Sequence, residues 1–340
     1  MLHDIRTAER AVRAYIEDER IPGAVLLVGH GDQVDYLSAF GAAQWVPHRI
    51  EMKEDMLFDM ASLTKVMAVW PLVVLLLQEG RITLHTTLGT LLPDWPLPNE
   101  VADITLLQLL THTAGFIPFA DTQGNTREQR ILSLLTMPLA CEPGSKCTYS
   151  DFSFIALGEA MAAGMGEPLD EAAARVFMAL GMDNTLYRPD PMQAFAATEV
   201  VNGVTTIGTV HDERAQQLGG VAGHAGLFST AMDVHRFAAA FLATPRHPLF
   251  QNEWVDKSFR NHLAIAPDYA IGWAIRGRSA SSGRIVGHTG FTGTSLHFSP
   301  RTGAHVVLLT NRVHPTRENM HIADLRREVL NAIFGRIDEV

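Results

Sequence analysis

Ser62 and Lys65 stand three residues apart in FDMASLTKVMAVW (residues 58–70), a stretch that otherwise reads as buried. The chain has only four lysines, so one set among Leu63, Val66, Met67, Val69 and Trp70 needs a reason. An ammonium buried without a partner is costly enough that it sheds its proton. Lys65 is therefore expected to be either paired, or neutral and useful. On a helix, residues three apart share a face. If Ser62 opens that helix, its hydroxyl sits where backbone N–H groups point outward and the dipole favours an anion. A lysine one turn along then helps remove the hydroxyl proton, or stabilises the alkoxide as it forms. The bland reading is a lysine snorkelling from a core helix. Ser-x-x-Lys by itself recurs by chance.

Two further stretches bear on the choice. CTYSDFSFIALGEA places Tyr149-Ser150-Asp151 at the start of another apolar helix, and VGHTGFTG places His288-Thr289-Gly290 within an expected strand. Taken singly, Tyr149 reads as a helix-entry residue and His288 as a satisfied sheet histidine. Taken together, Ser-x-x-Lys, then a Tyr-x-Asn-like motif, then a Lys-Thr-Gly-like motif, in that order, resembles the serine β-lactamase and penicillin-binding protein superfamily. The resemblance covers nearly the whole chain, including LLTHTAGF (109–116) and GGVAGHAGLFST (219–230). The tyrosine in the second motif is most similar to class C β-lactamases and their relatives: DD-carboxypeptidases, esterases and cytoplasmic muropeptide amidases. VHDERAQQLGGVAGHAGLFST (210–230) resembles the muropeptide-amidase branch.

That resemblance implies roles. Ser62 is the expected acylated nucleophile, Lys65 its neighbour, and Tyr149 the base that takes the serine proton and returns one to the leaving group. A phenol is a poor base at neutral pH, so Lys65 and a protonated His288 are expected to favour the phenolate. The oxyanion hole is expected from the backbone N–H groups of Ser62 and Phe291. Asp151, His288, Thr289, Gly290 and Phe291 form the expected substrate-binding set. Two departures matter. Asp151 stands where the family usually has asparagine, cannot donate unless protonated, and can instead pair with Lys65. His288 replaces the lysine usual in β-lactamases, and a neutral histidine offers less to a substrate carboxylate than an ammonium does. The expected activity is therefore a serine hydrolase cleaving a small ester or amide through a Ser62 acyl-enzyme, with neutral esters favoured over β-lactams. A muropeptide amidase or DD-peptidase is the alternative enzyme. A slowly acylating penicillin-binding or sensor module without turnover is the alternative of another class.

The elements that must position these groups follow from periodicity. Ile5, Ala8, Val12, Tyr15 and Ile16 recur at helical spacing, predicting a helix over 3–19. IPGAVLLVGHGDQVDYLSAFG predicts two strands around a His30-Gly31-Asp32 turn. A long helix is expected from Ser62 to about Gly80, followed by helices and Pro/Gly-rich loops to about residue 200. Thr230 followed by Asp233 reads as a helix start. YAIGWAIRG, GRIVGHTGF, GTSLHFSP and AHVVLLTNR read as strands, and a final helix carries Ile322, Leu325, Val329, Ile333, Phe334 and Ile337 on one stripe. The order predicts one α+β domain over 1–340, an α/β sandwich of the β-lactamase/transpeptidase kind. Both chain ends build an antiparallel sheet flanked by helices, with a helical lobe inserted at about 62–200.

Composition narrows the classes. A 47% hydrophobic, 19% charged chain of 340 residues has ample material for a core, and a net charge of −10 argues against nucleic-acid or anionic-membrane partners. The N-terminus lacks the pattern of a signal peptide, and the longest apolar stretch, Val66 to Leu77, contains Pro71 and is short for a bilayer. A cytoplasmic protein acting on a small ester, amide or β-lactam-like molecule is the expectation. Cys141 and Cys147 are expected as free thiols rather than a hairpin disulfide. No cofactor and no metal is implied. The spacing of His211, Asp212, Glu213 and His224 fits no common metal site, and loop or hydrogen-bonding roles are expected for them, as a structural role is for His112. No Gly-x-Ser-x-Gly elbow, phosphate-binding Gly-Lys-Ser/Thr or His-Glu-x-x-His occurs.

Overall fold

The computed structural model describes residues 4–251 and 253–338. Eight strands form one antiparallel sheet drawn from both ends of the chain. The order from edge to edge is Ile337–Asp338, Ala274–Ser279, Gly283–Thr289, Ser295–Phe298, Ala304–Thr310, Gly23–His30, Gln33–Gln44 and Ile50–Glu51. The central pair aligns Leu26 with Leu308 and Leu27 with Val307. Because successive side chains in a strand point to opposite faces, Val25, Leu27, Val307 and Leu309 join one core, while Ala24, Leu26, Val28, Val306 and Leu308 join another. Both faces of the sheet are covered, which explains why these strands read as continuous apolar runs rather than alternating ones.

The smaller core is closed by the two terminal helices, Ile5–Glu17 and Ile322–Phe334, which pack on each other and join through Tyr15 and Glu328 (Oη to Oε1, 3.0 Å). Asp4 caps the first by accepting from the Thr7 N–H, so the helix begins just inside the predicted range. The last helix stops before Gly335 (φ +77), and Ile337 lies on the edge strand instead of the helical stripe. Thr230 caps Ala231–Leu242, accepting from Asp233 N as its spacing predicts.

The larger core fills the other face. Helices Trp70–Gln78, Asp151–Met165 and Leu169–Ala179 pack there with shorter segments. Around Trp70 and Trp273 lies an aromatic cluster of Phe237, Phe241, Phe250, Phe259 and Phe298. By length and composition alone Ala61–Gln78 is apolar enough to cross a bilayer, but 83% of it is buried inside the protein, where it serves as the central core segment.

That segment is not the single α-helix predicted from Ser62 to Gly80. It begins as a 3₁₀ turn at Ala61–Leu63, widens into a π-helical stretch at Lys65–Val69, and becomes α-helical only at Trp70–Gln78. Pro71 is the physical reason. It has no N–H, so the carbonyl of Met67, four residues back, loses its α-helical donor, and the ring crowds that carbonyl. The chain adopts the wider turn, in which the Trp70 N–H reaches the Lys65 carbonyl five residues back.

Candidate active site

Ser62 lies in the 3₁₀ turn, directly after Ala61, whose φ of +45 is unusual for a residue with a side chain. Asp59 holds this strained corner. Its carboxylate accepts the N–H of Ala61 (2.8 Å) through one oxygen and that of His211 (2.6 Å) through the other. Strain of this kind persists only where surrounding contacts over-determine it.

Three chemistry-bearing side chains meet at the serine. Lys65 Nζ donates to Ser62 Oγ at 2.8 Å, and the Tyr149 hydroxyl lies 3.0 Å from the same oxygen. The remaining ammonium protons go to Asp151 Oδ1 at 2.8 Å and to the His224 carbonyl at 3.2 Å. Lys65 is fully buried, yet its three donors have three acceptors. Burial opposes its charge, but Asp151 and Tyr149 outweigh burial and hold the ammonium above its ordinary range. The lysine is therefore paired and charged.

Asp151 opens the helix Asp151–Met165, behind the Ser150 cap. Its second oxygen accepts from Arg214 Nη2 at 2.9 Å, and Arg214 also lies 3.6 Å from Asp212, whose other oxygen meets His224 Nε2 at 2.9 Å. Burial alone would raise the Asp151 carboxyl, but Lys65, His224 and Arg214 hold it down at about 2. The ligand-type atoms of Asp151, Asp212 and His224 lie within 4.8 Å of one another. Two carboxylates already facing Lys65 and Arg214 are charge-balanced, so the cluster is an ion-pair network and not a vacant cation site. His211 and Glu213 serve similar structural ends. Glu199 meets both His211 (3.0 Å) and Arg317, which also pairs with Glu213 (2.6 Å).

Tyr149 is held from behind by His112, whose ring lies 4.4 Å away and whose Nδ1 accepts the Ser150 N–H at 3.3 Å. Burial and the Lys65 charge push His112 down to about 3, so it stays neutral. It is a structural residue, and what it supports is the tyrosine.

On the sheet side, His288 lies 6.3 Å from Tyr149, ring centre to ring centre, with Nδ1 3.0 Å from the Thr289 carbonyl. Burial, then Lys65 and Arg276, hold it well below its ordinary value. The expected protonated His288 is thus corrected: next to a charged lysine in a dry site the imidazole is neutral. After Thr289 the chain turns through Gly290 and Phe291. A Cβ on Gly290 would fall 2.2 Å from Thr294 Oγ1 and 2.6 Å from the Met60 carbonyl, so only glycine fits. Thr292 and Thr294 donate to the carbonyls of Asp59 (2.7 Å) and Met60 (3.1 Å), tying this loop to the corner that carries Ser62. Among the described residues, no acceptor takes the N–H of Ser62 or of Phe291. The half-exposed Phe291 ring lies under the Arg312 guanidinium (4.4 Å).

Sequence reasoning missed three arginines here. Arg276 reaches Thr289 Oγ1 (3.4 Å) from the neighbouring strand. Arg312 donates to the Phe291 carbonyl (2.8 Å), and Arg326 to those of Gly290 (3.0 Å) and Thr294 (2.8 Å). Among the described residues none of the three has an ion-pair partner. Arg276, Thr289, Arg326 and Asn331 line a cavity of about 320 Å³ beside the loop. The three reside on separate elements and belong to no motif. The signal available was only an arginine-bearing strand next to His288-Thr289-Gly290.

The family model described as Beta-lactamase matches residues 8–331. The chain belongs to the beta-lactamase family. It is a serine hydrolase. It is 28% identical, over 87% of its length and 80% of the relative's, to an Escherichia coli (strain K12) protein named as a candidate D-alanyl-D-alanine carboxypeptidase. It is 29% identical, over 86% of its length and 78% of the relative's, to an N-acetylmuramyl-L-alanine amidase of Bacillus subtilis (strain 168). Its fold matches that of EstCE1, a hydrolase with promiscuous acyltransferase activity, at a TM-score of 0.80 and 21% identity, covering 97% of this chain and 98% of the other. The last likeness concerns the fold alone. The beta-lactamase/transpeptidase fold and the family expected from the three motifs are both borne out. Cys141 and Cys147 are free thiols.

Proposed function

We propose that this serine hydrolase cleaves an amide of the peptide type, or the matching ester, that carries a carboxylate beside the bond broken. The observation that carries this reading is the set of three arginines around the loop from Thr289 to Thr294 that, among the described residues, have no carboxylate partner. A chain of net charge −10 that leaves cationic groups uncompensated at one place has a use for an anion there. Arg276 offers a substrate the fixed charge that His288 does not, which shifts the preference from neutral esters toward carboxylate-bearing substrates. The names of the two relatives, a carboxypeptidase and an amidase, point to the same class.

Ser62 is the nucleophile in this reading and Tyr149 the base. With Tyr149 as phenolate, the 3.0 Å contact runs in reverse, and the Ser62 proton passes to the tyrosine as Oγ bonds to the substrate carbonyl carbon. The carbonyl π pair moves onto oxygen, where the N–H groups of Ser62 and Phe291 receive it. On collapse that pair re-forms the C=O, the bond to the leaving nitrogen or oxygen breaks, and Tyr149 returns the proton to it. Water repeats the sequence on the acyl-enzyme and releases the acid. Lys65, already charged, cannot accept a proton. It stabilises the alkoxide and the phenolate instead.

The test pairs labelling with substrate choice. A fluorophosphonate should modify Ser62, as located by peptide mass, and Ser62→Ala should abolish both labelling and turnover. A muramoyl-peptide, a peptide ending in D-alanyl-D-alanine, nitrocefin and neutral p-nitrophenyl esters are then compared side by side. Carboxylate-bearing amides should be cleaved with higher kcat/KM than their carboxamide-blocked counterparts. Equal rates for the two, with fast turnover of neutral esters, would leave an esterase.

A further inference from the structure

We infer that Arg326 is a positioning residue for the oxyanion donor, acting on it from the far end of one peptide plane. The inference rests on the reading above in one respect, the use of the Phe291 N–H. That N–H and the Gly290 carbonyl belong to the same rigid amide. Arg326 Nη2 donates to this carbonyl at 3.0 Å and, from the same nitrogen, to the Thr294 carbonyl at 2.8 Å. The Thr294 carbonyl in turn accepts the Gly290 N–H at 2.7 Å. The Gly290 carbonyl also accepts the Gly293 N–H at 3.2 Å, and the guanidinium joins that turn in fixing the tilt of the amide whose other end is, on the reading above, the oxyanion donor.

The effect goes beyond geometry. A cation on the carbonyl oxygen of an amide draws charge away from its nitrogen and makes the N–H a stronger donor, as in any chain of polarising hydrogen bonds. Arg326 is suited to this because no carboxylate among the described residues neutralises it, and its Nε, turned away from solvent, has no acceptor. A guanidinium spent in an ion pair would polarise less. Arg312 grips the next amide, donating to the Phe291 carbonyl at 2.8 Å, so the loop is clamped on both sides of the donor.

The experiment reads the acyl carbonyl directly. The Ser62 acyl-enzyme is trapped from an isotopically labelled slow substrate, and its ester C=O stretch is recorded by infrared difference spectroscopy in wild type, Arg326→Met and Arg326→Lys. Thermal melts of each variant report folding separately. In wild type the stretch should lie well below that of the denatured adduct. In Arg326→Met it should move back toward the denatured value, with kcat lower by about tenfold and KM little changed, a part of the effect of deleting a whole oxyanion donor. Arg326→Lys, which retains a cation and tolerates the site better, should fall between. A folded Arg326 variant of either kind with the wild-type stretch and kcat would overturn the inference. A wild-type stretch equal to that of the denatured adduct would overturn the oxyanion reading itself, so the two failures are told apart.

Discussion

Two sets of cations flank Ser62, and they are built on opposite principles: Lys65 and Arg214 are buried, whereas Arg276 is exposed and Arg326 half-buried. On the helical side Lys65 and Arg214 face Asp151 and Asp212 in a closed network in which each charge has its opposite. On the sheet side Arg276, Arg312 and Arg326 have hydrogen bonds to carbonyls and a hydroxyl but, among the described residues, no carboxylate. A buried charge left without its partner is costly, so the balanced side is a device for holding one protonation state. The unbalanced side keeps a positive field, which the proposed function assigns to an incoming carboxylate. On the proposed reading the site separates proton handling from anion binding, and each half can be disturbed without the other.

The largest effect is expected where the two halves meet. Tyr149→Phe keeps the ring against His112 and removes the proton acceptor, so kcat should fall by about 10²–10⁴ with an unchanged melting temperature. Near-normal turnover would mean that the balanced side supplies the base, contrary to a charged Lys65.

Next comes the balanced side itself. Asp151→Asn leaves Lys65 and Arg214 without their shared anion and should cost about 3 kcal/mol in denaturant unfolding at pH 7. The pH dependence has a definite sign. The Asp151 carboxyl is held at about 2, below its unfolded value. The unfolded chain therefore takes up the proton first, and the stabilisation is full above about pH 4 and disappears as pH falls toward 2. That acid limb should flatten in Asp151→Asn. An identical limb in both proteins would show that the pair does not set it.

The smallest effect probes the unbalanced side. Arg276→Met should raise KM for a carboxylate-bearing substrate by about tenfold, the weight of one charge contact in a partly wet site, and leave a neutral ester unaffected. Equal losses on both substrates would mean that Arg276 supports the strand and not the substrate.

Much of the frame was legible in the residues. Apolar runs such as VLLV and HVVLLT marked strands, and three short motifs in order marked both the family and the residues that converge on Ser62. What escaped the sequence depends on depth and on long-range juxtaposition. His288 could be read as charged or neutral until its burial beside Lys65 was known. The break in the helix after Ser62 follows from Pro71, but only the structure shows whether the chain kinks, stops or widens. Arg276, Arg312 and Arg326 come from a strand, a loop and the last helix, and no spacing rule links them. Ile337 continued the helical stripe by period alone, and Gly335 ended the helix first.

The π-helical turn at Lys65–Val69 has a consequence for variation. It contains one residue more than an α-helix would need over the same turn, and each helical residue turns the chain by about 100°. The Ser62 end and the Trp70 end are thus out of phase. Trp70 is locked by its aromatic neighbours, so the phase at the nucleophile is set by a single surplus residue. Removing Met67 would take out the surplus residue while Pro71 still bars the hydrogen bond four residues back, so Ser62 and Lys65 would turn away from Tyr149 and Asp151, whereas replacing Met67 by another apolar side chain would leave them in place. For this stretch, length is constrained more tightly than composition.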